Sequence, residues 1–221
     1  MNVLCILEFE KVYFNDGKKN ILKDINLKIE NRDFISIVGP SGGGKSTLLK
    51  LISHLISPTE GSIHYKGNNI LEYAPTELRQ HCAYCYQNPH LFGNTVLENL
   101  SFPYEIRGKE VDFEKIYELL ALFKMDKNYI NKNVDKLSGG EKQRLALIRT
   151  LTFNPEILLL DEITSALDVD NTIIVENIIK ELNKKGVTVL WITHNLEQSK
   201  KFANKLLTIE EGKIKSLEVL K

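Results

Sequence analysis

A glycine-rich loop between an apolar run and an amphipathic segment constrains the fold of this chain more than any other feature. The run at residues 35–38 precedes the loop, and residues 48–56 follow it with helical periodicity. The pattern G-x-x-x-x-G-K-[ST], in its required strand-loop-helix context, is matched by Gly39, Pro40, Ser41, Gly42, Gly43, Gly44, Lys45, Ser46 and Thr47. Glycines let backbone N–H groups surround phosphate oxygens, and the helix start adds partial positive charge. The sequence therefore predicts a nucleoside triphosphate site in an α/β fold, with a flexible turn as the alternative.

Polar side chains in and beyond this loop suit triphosphate chemistry. Lys45 would neutralise the β- and γ-phosphates, and the Ser46 hydroxyl would ligate Mg²⁺. Asp161 and Glu162 follow the apolar run at residues 157–160. Because consecutive residues that leave a strand point in different directions, we expect Asp161 to hold the metal and Glu162 to activate the attacking water. Two carboxylates at a solvated strand end are the alternative interpretation.

Four apolar runs each end in a polar group, and segments with helical periodicity separate them. This is the pattern of a parallel sheet covered by helices. The runs at residues 35–38, 82–86, 157–160 and 187–192 lead to the loop, Gln87, Asp161 and His194, respectively. In such sheets ligands bind beyond the carboxyl ends of the strands, so we expect these groups to converge on one site.

The 221 residues are expected to form a single domain with two departures from this pattern. Residues 6–14 and 21–29 predict an antiparallel hairpin arm. Residues 88–137 are mostly helical in pattern, and a helix at residues 111–125 carries one apolar face, formed by Ile116, Leu119, Leu120 and Phe123. We therefore expect a core of residues 1–87 and 138–221 with a helical subdomain at about residues 88–137.

Composition excludes several broad classes of protein. The chain has 29 Lys and Arg against 29 Asp and Glu, so no net charge draws it to nucleic acid or acidic lipid. No 18 apolar residues run together, and residues 1–8 lack the basic region of a signal peptide, so we expect a cytoplasmic location.

Cys82 and Cys85 lie on a predicted strand, where residues three apart diverge. Two buried side chains are therefore expected over a redox or zinc role.

A second glycine-rich segment consists of Leu137, Ser138, Gly139, Gly140 and Glu141. Ser138 as N-cap, with Glu141 three residues later, predicts a capping box at the start of a helix. Such a start also presents free N–H groups and is a second phosphate-binding end, although it lacks a lysine of its own. Two such ends in one chain indicate two ligands, or one ligand shared between two copies.

The order of these motifs resembles that of the ABC-transporter ATPases, over essentially the whole chain. In that family residues 137–141 form the signature, which closes over ATP bound to the loop of an opposing subunit. The resemblance identifies Gln87 as the Q-loop glutamine, Asp168 as the end of the D-loop and His194 as the switch histidine. It implies that Gln87 touches Mg²⁺ and the water, that Asp168 crosses the dimer interface, and that His194 holds the γ-phosphate.

The family stacks adenine on an aromatic side chain just beyond the first strand. By length that position falls near Asn15 and Asp16, with Tyr13 and Phe14 slightly earlier in the chain. We take Phe14 as the candidate, with packing in the core as the equal alternative.

Residues 55–61, 91–96 and 161–168, the last with Ile163, resemble bacterial ATPases of the FetA or YbbL type, which are paired with an iron-efflux permease. This implies iron or another metal ion as the cargo. The chain ends soon after Gly212, so we expect no appended regulatory domain of the kind that some importer ATPases carry.

The resulting prediction is an ATP-hydrolysing subunit of the P-loop NTPase fold at the inner face of the cell membrane. It would form an ATP-sandwich dimer and drive a separate integral membrane permease, with ATP and Mg²⁺ as cofactors and no nucleic-acid partner. A soluble ABC ATPase that acts on nucleic acid or ribosomes is the alternative, and zero net charge with no long coiled coil disfavours it. A P-loop kinase or GTPase is disfavoured by the signature and by the lack of an N-K-x-D element.

Overall fold

A computed structural model describes residues 5–220, without the side chains of Leu196 and Gln198. Part of the N-terminal run considered as a signal peptide, residues 1–4, and the terminal Lys221 lie outside the described residues. In chain order the strands are β1 (Cys5–Asn15), β2 (Asn20–Glu30), β3 (Phe34–Val38), β4 (Glu60–Tyr65), β5 (Asn68–Asn69), β6 (Cys82–Cys85), β7 (Ile157–Asp161), β8 (Thr188–Ile192), β9 (Lys205–Glu210) and β10 (Lys213–Val219). The helices are α1 (Lys45–Ile52), α2 (Pro75–His81), α3 (Val96–Glu105), α4 (Phe113–Leu122), α5 (Gly139–Leu151), α6 (Val169–Lys184) and α7 (Leu196–Phe202), with short 3₁₀ turns at Ile70–Glu72, Lys127–Asn131 and Val134–Lys136.

The central sheet has the strand order β10-β9-β3-β8-β7-β6, and its strands from β9 to β6 are parallel. The four apolar runs are strands of this sheet, as predicted. β3, β7 and β8 are buried on both faces, which is why they read as continuous apolar runs. Their alternate residues divide the core: Leu159 and Leu190 pack with α1 and the arm, whereas Leu158 and Trp191 pack with α5 and α6.

The two strand cysteines diverge as the strand alternation predicts. Cys82 packs in the cluster with α1, and Cys85 packs in the cluster on the other face of the sheet. Burial raises the pKa of both thiols, that of Cys85 to about 12. Two protonated thiols on opposite faces are poor candidates for a redox pair or a shared metal ion.

The predicted antiparallel arm is confirmed by the pairing of β1 with β2, and β4 and β5 extend it into a second sheet of order β2-β1-β4-β5. The pairing of β1 with β2 has register shifts between Phe9 and Val12 and between Val12 and Phe14. Lys11 has a positive φ of 47° at the first of these. Such bulges change which side chains face the core.

The segment between β6 and α5 contains α3 and α4. The four apolar residues predicted to share one face of α4 are buried. This helix begins after its N-cap Asp112 and ends at Leu122, so it is shorter than predicted. Its end is closed by Lys124 at a φ of 52°, with the N–H of Met125 donating to the carbonyl of Leu120 at 2.8 Å, which is a Schellman stop. None of the helices in residues 5–220 is long and apolar enough to cross a membrane.

Candidate functional site

The glycine-rich loop leaves β3 and enters α1 through two positions that need glycine. Gly39 has a φ of 140°, and a Cβ there would lie 2.0 Å from the carbonyl oxygen of Ile209. Gly44 caps α1 at a φ of 103°, and a Cβ there would lie 2.7 Å from Leu22 Cδ2. The loop is therefore held tightly between the end of β9 and the start of β2, with the N-terminus of α1 behind it.

A cavity of about 450 Å³ lies over this loop. It is lined by Lys19, Ile21, Ser41, Gly42, Gly43, Gly44, Lys45, Ser46, Thr47, Gln87, Glu162 and His194. The expected convergence is confirmed, because residues that follow β3, β6, β7 and β8 meet at the carboxyl ends of these strands. The volume is in the range of small-molecule sites.

Lys45 and Ser46 begin α1 at the bottom of the cavity. Lys45 is 5% exposed, and its ammonium donates to the carbonyls of Gly39 and Pro40 at 3.0 and 2.9 Å. Ser46 Oγ donates to Asp161 Oδ1 at 3.0 Å. The cavity thus combines a fixed positive charge with a hydroxyl and a carboxylate, which are oxygen ligands of the type that Mg²⁺ prefers.

Tyr84 is a site residue that sequence reasoning missed. Its hydroxyl donates to Asp161 Oδ2 at 2.5 Å, so both oxygens of this carboxylate are held. Burial, and then the bond to Asp161, raises the pKa of Tyr84. Alternation along β6 does place Tyr84 on the same face as Cys82, where α1 packs, but the contact depends on the register of β6 against β7.

Glu162 is bracketed by two polar side chains. Gln87 Nε2 donates to its Oε2 at 2.9 Å, and His194 Nε2 lies 2.8 Å from its Oε1. The Glu162 backbone has a φ of 50°, a left-handed conformation that costs a residue with a Cβ about 1 kcal/mol. Strain of this kind persists where the surroundings over-determine it, often at functional sites.

Asp161 and Glu162 point in different directions, as expected of residues that leave a strand. Asp161 faces Ser46 and Tyr84, whereas Glu162 faces Gln87 and His194. Gln87, predicted as a metal ligand, makes its contact with Glu162 instead of Asp161. Its role as a ligand stays a prediction.

The second glycine-rich segment lies outside the lining of this cavity. The predicted capping box is confirmed: Ser138 Oγ accepts from the N–H of Glu141, and Glu141 Oε2 accepts from the N–H of Ser138. The Tyr129 hydroxyl donates to Glu141 Oε1 at 2.6 Å, and Lys132 lies 3.3 Å from the same oxygen. Burial alone would raise the pKa of Glu141, but these hydrogen bonds together lower it to about 2. Gly139 and Gly140 form the first turn of α5, so the segment presents a helix N-terminus away from the cavity of its own chain.

Asp168 and Phe14 also lie away from the described lining of the cavity. Asp168 is the N-cap of α6 and accepts from the N–H of Asn171 at 2.8 Å. Phe14 pairs with Leu22 across the arm and packs against the core. Lys19 and Ile21 are the arm residues that line the cavity. Phe14 therefore makes the core contacts of the packing alternative, and its contact with adenine stays a prediction.

Comparisons with known proteins place the chain beside ATP-binding cassettes. The family model described as "ABC transporter" matches residues 22–165. The chain is similar to "Probable iron export ATP-binding protein FetA" of Escherichia coli (strain K12), with 42% identity covering 93% of this chain and 91% of that protein. It is also similar to "ABC transporter I family member 17" of Arabidopsis thaliana, with 37% identity covering 94% and 78%. Among solved structures, the dimeric post-hydrolysis state of the ATP-binding cassette MJ0796 bound to ADP and Pi matches with a TM-score of 0.87 and 30% identity, covering 97% of this chain and 99% of that chain.

Proposed function

The chain belongs to the ABC transporter family and is an ATPase, and from this premise we propose that two copies share two ATP molecules and drive a separate membrane permease. Each site would combine the cavity over residues 39–47 of one copy with residues 138–141 of the other. Closure of the pair would then be the power stroke, and hydrolysis would reset it.

This proposal is supported by the separation of the two phosphate-binding ends, which are the glycine-rich loop at residues 39–47 and the start of α5. The cavity is lined by Lys45 and the carboxylate of Glu162, whereas residues 137–141 lie outside its lining and contain no lysine. A second copy brings the two together. Two exposed apolar side chains, Val169 and Ile173, lie beside Glu162 and His194 along a neighbouring cavity of about 680 Å³ and would be covered in such a pair. The solved dimeric cassette with ADP and Pi supports the same assembly.

Hydrolysis in this site follows from the residues around Glu162. The N–H groups of residues 41–47 and the Lys45 ammonium would bind the phosphates. Glu162 takes a proton from water as the water oxygen bonds to the γ-phosphorus and the bond to the bridging oxygen of ADP breaks. Gln87 and His194 hold the carboxylate in place, and His194 would also hold the γ-phosphate, as the family resemblance implies. Ser46 and Asp161 fit a cation with oxygen ligands, and Mg²⁺ bound there supplies charge neutralisation of the phosphate oxygens.

An exposed aromatic surface lies on both sides of Gln87 in the sequence and suits the permease. It consists of Tyr86, His90, Phe92 and Phe102, in which Tyr86 contacts His90 and Phe92 packs on Phe102 with 4.4 Å between ring centroids. Arg149 underlies it, since its guanidinium donates to the carbonyl of His90 and lies over the Phe92 ring. Because Gln87 donates a hydrogen bond to Glu162, docking of the permease on this aromatic surface would change the position of the Glu162 carboxylate.

We assign export of a metal ion, with iron as the first choice, as the process that this subunit powers. The relative from Escherichia coli that carries the name of an iron export protein supports this assignment, together with the resemblance of residues 55–61, 91–96 and 161–168 to that type.

The experiment that tests the proposed function is purification of the tagged chain from its native membranes with mild detergent. An integral membrane protein should be recovered in stoichiometric amount, and the complex in vesicles should hydrolyse ATP faster when Fe²⁺ is supplied. Recovery of the chain with ribosomes or nucleic acid, and with no membrane protein, would overturn the proposal.

A further inference from the structure

The starts of α5 and α6 pack against each other, and a single asparagine fills the contact. A Cβ added to Gly140 would lie 2.9 Å from Asn171 Nδ2 and 3.2 Å from Asn171 Cγ, whereas one added to Gly139 would meet no described atom within 4 Å. The φ of Gly140 is not positive, so its backbone conformation does not require glycine. Glycine is needed at this position because Asn171 occupies the space that a Cβ would take.

The Asn171 side chain cannot swing away without losing its hydrogen bond to Asp168. Its N–H and its Nδ2 donate to the two carboxylate oxygens of Asp168, both at 2.8 Å. These bonds, first that from the Asn171 N–H, lower the pKa of Asp168, and the positive charge of Arg144 adds to the effect. Arg144 lies one turn beyond Gly140 on α5, and its buried Nε has no hydrogen-bond partner among the described residues. Asn171 thus contacts α5 at Gly140, and Asp168 interacts electrostatically with Arg144, one turn farther along α5.

The same end of α6 is joined to the catalytic carboxylate by a short, hydrogen-bonded segment. The N–H of Ser165 donates to the carbonyl of Glu162 at 3.0 Å, and the N–H of Leu167 donates to the carbonyl of Thr164 at 3.2 Å. Leu167 Cδ2 lies 3.6 Å from the position of a Cβ on Gly140. If the start of α5 moved, it would push on Asn171 and Asp168. The two hydrogen-bonded turns of residues 162–167 would pass this movement on to Glu162.

We propose that Asn171 is a positioning residue that locks residues 138–141 of each copy to the turn that carries Glu162 of the same copy. This inference rests on the proposed function, in which residues 138–141 bind the nucleotide of the opposing copy. Engagement of one nucleotide by the start of α5 would then orient the Glu162 that acts on the other nucleotide. Asn171 would make the two sites of the dimer cooperative.

The test compares steady-state ATP hydrolysis by the wild type, Asn171→Ala, Gly140→Ala and the double variant. Asn171→Ala should lower the Hill coefficient for ATP from its wild-type value to about 1 and lower kcat with little change in KM. Gly140→Ala should lower kcat at least about tenfold, since its methyl group displaces Asn171. The double variant lacks the two Asn171 atoms that the methyl group meets, so its kcat should recover at least about fivefold over that of Gly140→Ala.

Asn177→Ala, which removes an exposed asparagine farther along α6, is the matched control and should behave as the wild type. Asn171→Ser repeats the test with a polar side chain in case Asn171→Ala folds poorly. A double variant no more active than Gly140→Ala, together with an unchanged Hill coefficient in Asn171→Ala, would overturn the proposal.

Each variant is also combined with Glu162→Gln and tested for an ATP-dependent dimer. Failure of Glu162→Gln itself to dimerise would count against the proposed function, whereas normal dimerisation with no rescue would count against the role of Asn171 alone.

Discussion

His194 Nε2 lies 2.8 Å from Glu162 Oε1, across the carboxyl ends of the neighbouring strands β8 and β7. A carboxylate can only accept hydrogen bonds, so this contact places the proton of a neutral His194 on Nε2. Gln87 holds the other oxygen of Glu162. The carboxylate is therefore oriented from both sides by side chains that come from two different strands.

His194→Ala should lower kcat about 10²-fold and change KM for ATP little, because His194 holds the Glu162 carboxylate that the proposed mechanism uses as the base. Steady-state phosphate release at several ATP concentrations measures both constants. His64→Ala, on the arm sheet, is the control and should leave both unchanged. A variant that loses ATP affinity but keeps kcat would contradict this role.

Tyr84→Phe should raise the Mg²⁺ concentration needed for half-maximal activity about tenfold, since its hydroxyl holds the second oxygen of Asp161. The measurement is a Mg²⁺ titration of ATP hydrolysis at saturating ATP. Tyr86→Phe removes a neighbouring hydroxyl that lies on the aromatic surface and should leave the titration unchanged. An identical Mg²⁺ dependence in Tyr84→Phe and the wild type would show that Asp161 does not depend on this bond.

Glu141→Gln should lower the free energy of unfolding at pH 7 by about 1 kcal/mol, because the charge-assisted bonds at the start of α5 are weakened. The pKa of Glu141 is lowered from 4.5 to about 2 in the folded chain. A depressed carboxyl pKa stabilises the fold above the unfolded value, and the contribution is lost as pH falls toward the folded value. Urea unfolding should therefore show the difference between wild type and variant shrinking from about pH 4.5 to about pH 2. A constant difference over that range would rule out ionised Glu141 as its source.

Phe102→Ser should reduce recovery of the membrane partner without lowering the ATPase activity of the isolated chain. Phe102 belongs to the exposed aromatic surface, packs on Phe92 and lies outside the lining of the cavity over residues 41–47. Phe113→Ser changes another exposed aromatic residue, on α4, and should keep the partner. Equal loss of the partner in both variants would indicate a general defect of residues 88–137.

The sequence predicts the parts of the site that depend on local pattern. The buried strands read as apolar runs, the residue after each run lies at the carboxyl edge of the sheet, and the capping box at Ser138 is a short-range pattern. Contacts that depend on how elements meet were not predicted. Tyr84 reaches Asp161 because of the register between β6 and β7, and Asn171 reaches Gly140 because two helix starts cross.

The arm shows the same limit. The family resemblance and chain length place an aromatic side chain near the adenine, and its contact with adenine stays a prediction, but the register shifts between Phe9 and Phe14 change which residues face inward. Phe14 packs on the core, and Lys19 and Ile21 line the cavity. Bulges of this kind leave no reliable trace in a single sequence, since they depend on the partner strand.

Whether each ATP site needs two copies of the chain can be measured by size-exclusion chromatography of Glu162→Gln with ATP and Mg²⁺. This variant keeps the cavity but cannot take the proton from water, so ATP should stay bound and hold the pair closed. Glu162→Gln combined with Lys45→Ala, which weakens phosphate binding, is the control and should elute as a monomer. Glu162→Gln should elute as a dimer only when ATP is present; a monomer at saturating ATP would show that the site does not need a second copy.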